Sequence, residues 1–175
     1  MCSREIKESA YKAIVRPHLE YASAAWSPYT QRNINKLEAV QRRSARFVLS
    51  DYDYTPTSDL TNKFEKNLKC LTLQDRRYIS DIILFFKIKH SLVNVSLPII
   101  VQSSALHANK FRHIQALHSD AYKYSFFVRS VPYWNLVPAS ILASGAQGVN
   151  NLRPNLTTWI EPLQWSKVQN TWTLA

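Results

Sequence analysis

The chain has 175 residues, 46% hydrophobic and 12% aromatic, so it carries enough apolar area to offset the ordering of a folded chain and is not a disordered tail. With only 2 glycines and 8 prolines, the composition argues against long flexible linkers and glycine-rich phosphate loops, and favours a mostly helical chain of one domain or two small lobes. The formal net charge of +10 favours a polyanionic partner, nucleic acid first, against the plainer reading of a basic protein with no such partner.

Ser3 is placed to cap a first helix, in which Ile6, Ala10, Ala13 and Ile14 recur at helical spacing. Pro17 lacks the amide proton that a continuing helix needs, so a kink or restart falls there. Leu19, Ala22 and Trp26 resume the stripe until Ser27-Pro28 stops it, and Thr30 caps a second helix that runs to about Leu49. On a wheel of about 100° per residue, Arg32, Lys36, Arg42, Arg43 and Arg46 share an arc about 120° wide. Ile34, Leu37, Val40, Ala45, Phe47 and Val48 lie in the other half, with Gln41 and Ser44 among them. The apolar half must face a core, and the basic arc must face water or a partner. Glu38 lies outside the arc, so intrahelical ion pairing does not explain the five cations.

Residues 50–57 read as a polar loop and 58–67 as a short helix with Leu60 and Phe64 one turn apart. Thr72 caps a long helix through about His90, with Asp75 at the third helical position in a capping-box-like start. Its centre, Ile82-Ile83-Leu84-Phe85-Phe86, is apolar nearly all round and reads as the buried spine of the fold. Beyond residue 91, Pro98, Pro132, Pro138, Pro154 and Pro162 punctuate the pattern. Tyr122 to Val131 reads as a short strand or extended segment, Pro138 to Ala143 and Leu152 to Ile160 as short helices. The expected fold is therefore mainly α: a small helical bundle over residues 1–91, an irregular α-rich region with little β packed on it over 92–160, and a poorly ordered tail over 161–175.

Most chemistry leaves residue sets that are missing here. Cys2 and Cys70 are the only cysteines, too few for a disulfide framework or a four-cysteine zinc site. The first eight residues are charged rather than signal-like, and the run Ile79 to Ile88 contains Asp81 and Lys87 and is too short to span a bilayer. The expectation is an intracellular chain with no membrane partner, for which Asn94-Val95-Ser96 and Asn155-Leu156-Thr157 carry no glycosylation meaning. Asp51 and Asp53, the one close carboxylate pair, read as a solvated turn rather than a magnesium site. Gly145 and Gly148 lack the spacing and lysine of a phosphate loop, and His107, His113 and His118 have no cysteine or carboxylate at ligand spacing. No cofactor and no small-molecule substrate are expected. The basic arc remains, suited to phosphates and salt-dependent, sequence-tolerant binding. Tyr11, Tyr21, Trp26 and Tyr29 either stack on bases or pack the junction of the first two helices, and packing is the favoured reading.

Four ordered blocks carry a resemblance. Val15-Arg16-Pro17-His18-Leu19-Glu20-Tyr21-Ala22, leading to Trp26-Ser27-Pro28, is the first. Leu37-Glu38-Ala39-Val40-Gln41-Arg42-Arg43-Ser44-Ala45-Arg46-Phe47 is the second. Leu73-Gln74-Asp75-Arg76-Arg77 leads to Phe86-Lys87-Ile88, and Ser125-Phe126-Phe127-Val128-Arg129 to Trp134-Asn135-Leu136-Val137-Pro138. Together they span about residues 10–143 and resemble the region after the palm in non-LTR retrotransposon reverse transcriptases of the jockey and CR1 type. The resemblance implies a thumb-like helical bundle over residues 1–91, lying against a template–primer duplex, with Arg42, Arg43 and Arg46 as nucleic-acid contacts. It implies that Arg16, Glu20 and Tyr21 fix a helix junction, with Glu20 pairing to Arg16. The family's paired catalytic aspartates follow an aromatic-Ala-Asp-Asp pattern that this chain lacks, and no endonuclease domain is present, so no catalysis is expected. Three readings follow: a non-catalytic fragment that binds RNA or DNA and the missing polymerase core, an inert relic, or a protein-interaction or oligomerisation module.

Overall fold

In the computed structural model, residues 2–52, 71–98, 110–112, 119–146 and 148–161 are described, and among them the chain is mainly helical with no sheet. The expected mainly α class is what is found. The chain divides into two compact units, Met1–Arg76 and Arg77–Ala175.

The first unit opens with α1 (Arg4–Ala10), a π-helical turn (Tyr11–Val15) and α2 (Arg16–Glu20). Ser3 stands at the expected N-cap in extended conformation, but its side chain makes no capping bond. The restart expected at Pro17 is present: the π turn opens the helical ladder just before the proline, which then sits in the first turn of α2, where its missing amide is not needed. The apolar stripe of this stretch is largely outside the core. Ile6 and Ile14 are exposed, and Tyr11 instead fills the core beside Ala45 and Val48, with Val15 against them.

Ala22 adopts a left-handed conformation (φ 50°, ψ 30°) and leads into the short α3 (Ser23–Trp26). The helix α4 (Gln31–Leu49) follows, with Thr30 at its N-cap and Ser50, also left-handed at φ 54°, closing its C-terminus by donating to the Arg46 carbonyl. Lys7 Nζ donates to Ser50 Oγ at 2.7 Å.

The start of α5 (Leu73–Lys89) is fixed by several side chains. The Asp75 amide donates to Thr72 Oγ1 at 3.0 Å, the N-cap bond of the expected capping-box-like start, and that hydroxyl donates to Asp75 Oδ2 at 2.8 Å. Glu38 reaches from α4 to accept the Gln74 amide at 3.0 Å and the Leu73 amide at 3.4 Å, so a carboxylate faces the positive end of the helix dipole. Gln41, buried among the apolar residues of α4, accepts from the Tyr11 hydroxyl at 3.4 Å and donates to the Leu71 carbonyl at 3.2 Å. Glu20 does pair with Arg16, at 4.0 Å, but its closer partner is Arg76, which grips it through Nε and through Nη2 at 2.9 Å. That two-point contact between residues 56 positions apart was not visible in the sequence.

In the second unit, α5 buries Ile79, Ile82, Phe85 and Phe86, the expected spine. Phe85 packs on Trp134 with ring centroids 5.0 Å apart and edge-on to Phe111 at 5.1 Å. Asn135 clamps the Phe111 backbone, accepting its amide at 2.9 Å and donating to its carbonyl at 2.8 Å. The segment expected to be extended, Tyr122 to Val131, is helical instead. It forms the end of α6 (Asp120–Lys123) and most of α7 (Phe126–Leu136), each preceded by a serine in extended N-cap geometry, Ser119 and Ser125. Aromatic and β-branched residues gave the strand-like appearance, but the Ser119 cap, whose Oγ accepts from the Tyr122 amide, and the burial of Val128, Val131 and Trp134 on one side of a helix outweigh that propensity; the Ser125 side chain makes no capping bond. The two expected short helices are present and longer, as α8 (Ala139–Ala146) and α9 (Val149–Ile160), the latter burying Leu152, Leu156 and Ile160. The expected helix over 58–67, the trio His107, His113 and His118, and the tail after Glu161 lie outside the described residues.

Candidate nucleic-acid interface

The buried residues of α4 are Ile34, Gln41, Ala45 and Val48. At about 100° per residue these fall within roughly 60°, narrower than the apolar half read from the sequence. Arg32, Lys36 and Arg43 stand opposite that sector and are exposed. Arg42 and Arg46 lie on one side, between that sector and the exposed cations, and are half-buried. Among the described residues none of the five pairs with a carboxylate. Arg46 goes further inward: its Nε is buried with no hydrogen-bond partner among the described residues.

Phe47 was expected to face the core and does not. It lies at the far margin of the apolar arc, about 100° from the buried sector by the helical repeat, and its ring is half exposed at 50%. Lys7 covers it, with Nζ 5.2 Å from the ring centroid, in a cation–π contact. Lys7 thereby brings another cation to the C-terminal end of α4. Nothing in the sequence marks this, because the approach depends on how α1 lies against α4.

The four aromatic residues separate. Tyr11 is 3% exposed and packs in the core, as the favoured reading had it. Tyr21, Trp26 and Tyr29 are 80%, 41% and 49% exposed, so packing does not describe them. The Trp26 indole N–H donates to the Tyr21 carbonyl at 2.5 Å.

A different ionic site lies inside the second unit. Asp81 is buried on α5 and accepts from Arg129 Nε at 2.9 Å and Nη2 at 3.3 Å, while Arg129 also donates to the Tyr124 carbonyl at 3.0 Å. Burial pushes the Asp81 carboxyl above its ordinary range, outweighing the hydrogen bond and charge of Arg129 and the charge of Arg77. Lys89 is held below the ordinary lysine range by burial, with Nζ 5.1 Å and 5.4 Å from the Trp134 and Phe111 ring centroids.

Among the described residues no cluster of three or more His, Cys, Asp or Glu side chains could hold a metal ion, and no helix is long and apolar enough to cross a membrane. Asp51 is half-buried beyond the end of α4, and Asp53 lies outside the described residues. Comparison with protein-family models, curated proteins and solved structures gives no match to the chain.

Proposed function

We propose that the chain is a thumb-like, non-catalytic part of a non-LTR retrotransposon reverse transcriptase that binds RNA or DNA, without sequence preference, through the basic face of α4. The observation that carries the reading is the set of exposed cations Arg32, Lys36 and Arg43 on a helix whose opposite side is buried. A row of charges one to three turns apart on one helix, none ion-paired among the described residues, suits a phosphate backbone. Arg42 lies at the edge of the row and Arg46 partly beneath it. The blocks that carry the family resemblance also supply fixed contacts of each unit: Glu20 and Arg76, Gln41, and Asp81-linked Arg129 with Trp134.

The test is binding of a labelled RNA–DNA hybrid at about 50 mM salt, repeated as salt is raised. Binding that weakens steeply with salt, and that weakens further in the Arg42→Ala/Arg43→Ala variant, is expected. No detectable binding at the lowest salt would sink the reading. A second reading, an interaction or oligomerisation surface, is favoured by the outward-facing Ile6 and Ile14. It calls for a discrete oligomer whose formation ignores salt.

A further inference from the structure

The corner between α2 and α3 exposes more aromatic surface than packing explains. Tyr21 is 80% exposed and Trp26 41%, yet the backbone carrying them is tightly tied. The Tyr21 amide donates to the Pro17 carbonyl at 2.8 Å, Ala25 to Ala22 at 2.9 Å and Ser27 to Ser23 at 2.8 Å. Ala22 holds φ at 50°, a conformation unfavourable for a residue with a Cβ. The Trp26 indole N–H, bonded to the Tyr21 carbonyl, locks the second ring to the backbone of the first. Two large rings thus stand, the first mostly and the second partly in solvent, on a hydrogen-bonded corner and not on a loose loop.

The charge around them selects the ligand. From Tyr21 to Leu37 the chain holds no Asp or Glu. Only Ser27 to Thr30 separate Trp26 from α4, whose first two turns carry the exposed cations Arg32 and Lys36. Exposed rings followed within a few residues of the chain by exposed cations, with no carboxylate between them, fit a ligand that is flat, aromatic and anionic by turns. Within a duplex the base faces are covered by their neighbours, so only an unpaired base can use the rings. We infer that Tyr21 and Trp26 form a stacking platform for unpaired bases of a single strand whose phosphates contact Arg32 and Lys36. This rests on the nucleic-acid reading of α4 and adds the form of nucleic acid the site distinguishes.

The test compares a single-stranded oligonucleotide with a blunt duplex of the same sequence, using the whole chain. Tyr21→Ala is the first variant, because the side chain is almost wholly outside the fold. It should weaken single-strand binding about tenfold, the scale of one lost stacked base, and leave duplex binding and the salt slope unchanged. Tyr21→Phe should restore binding, since stacking needs the ring and not the hydroxyl. Equal losses on both ligands, or no loss on either, would overturn the inference while leaving the α4 reading intact. Absence of any binding by the unaltered chain would overturn both. A change in oligomeric state on Tyr21→Ala with unchanged oligonucleotide binding would make the corner a protein contact and also overturn it.

Discussion

Arg46 buries its Nε with no partner among the described residues, and a buried donor left unsatisfied costs about 1–3 kcal/mol. Arg46→Met keeps an unbranched stem in the same space and removes that donor. The urea midpoint should therefore hold or rise, and a loss above about 1 kcal/mol would show that the guanidinium is satisfied in the folded protein. Asp81 supplies a pH-dependent counterpart. Its carboxyl is held above its ordinary value of 3.8, first by burial. The folded state therefore binds that proton more tightly than the unfolded chain does. The stability contributed by this group is full below 3.8 and falls as pH rises through the folded pKa. Measured against Asp81→Asn, which has no proton to lose, the wild type should lose relative stability across that rise. A constant difference between the two would show that Arg129 compensates the burial completely. Neither feature can be read in the sequence, because both depend on depth in the fold rather than on residue type.

At the scale of elements, the packing of α8 on α5 has one sharp point. A Cβ at Gly145 would lie 2.8 Å from Cζ of Phe86, and that ring is itself buried. Alanine raises helix propensity by up to about 1 kcal/mol, but overpacking a filled core costs about 1–3 kcal/mol. Gly145→Ala should thus lower stability by roughly 1 kcal/mol in chemical unfolding, and a gain would mean that Phe86 can give way. Elements marked by local chemistry were legible in the sequence: Thr30 and Thr72 at the starts of α4 and α5, Pro17 at the restart, Ile82 to Phe86 as spine. Those that depend on partners were not. Tyr122 to Val131 looks extended by propensity and is helical where Ser119 caps its first turn and one side of the following helix is buried. Glu38 looked like a stray offset to the basic arc, but it accepts the Leu73 and Gln74 amides. Of the candidate site, the charge identity of Arg32, Lys36, Arg42, Arg43 and Arg46 was legible. Their division into three exposed and two half-buried cations was not, because depth depends on what packs beside α4 and not on residue type.

For the molecule as a whole, a net charge of +10 attracts any polyanion, so bare affinity for nucleic acid says little about where it binds. The distinction lies between a diffuse cationic surface and one face of α4. Replacing Arg32, Lys36 and Arg43 together with alanine should spare the fold, since all three are exposed and none pairs with a carboxylate among the described residues. The decisive measurement is the slope of log affinity against log salt for a duplex, in the unaltered chain and in this triple variant. If the α4 face holds the phosphates, the slope should become shallower by about 2 to 3, close to one unit per contact removed. An unchanged slope, with affinity reduced only as any loss of three charges would reduce it, would contradict binding at that face.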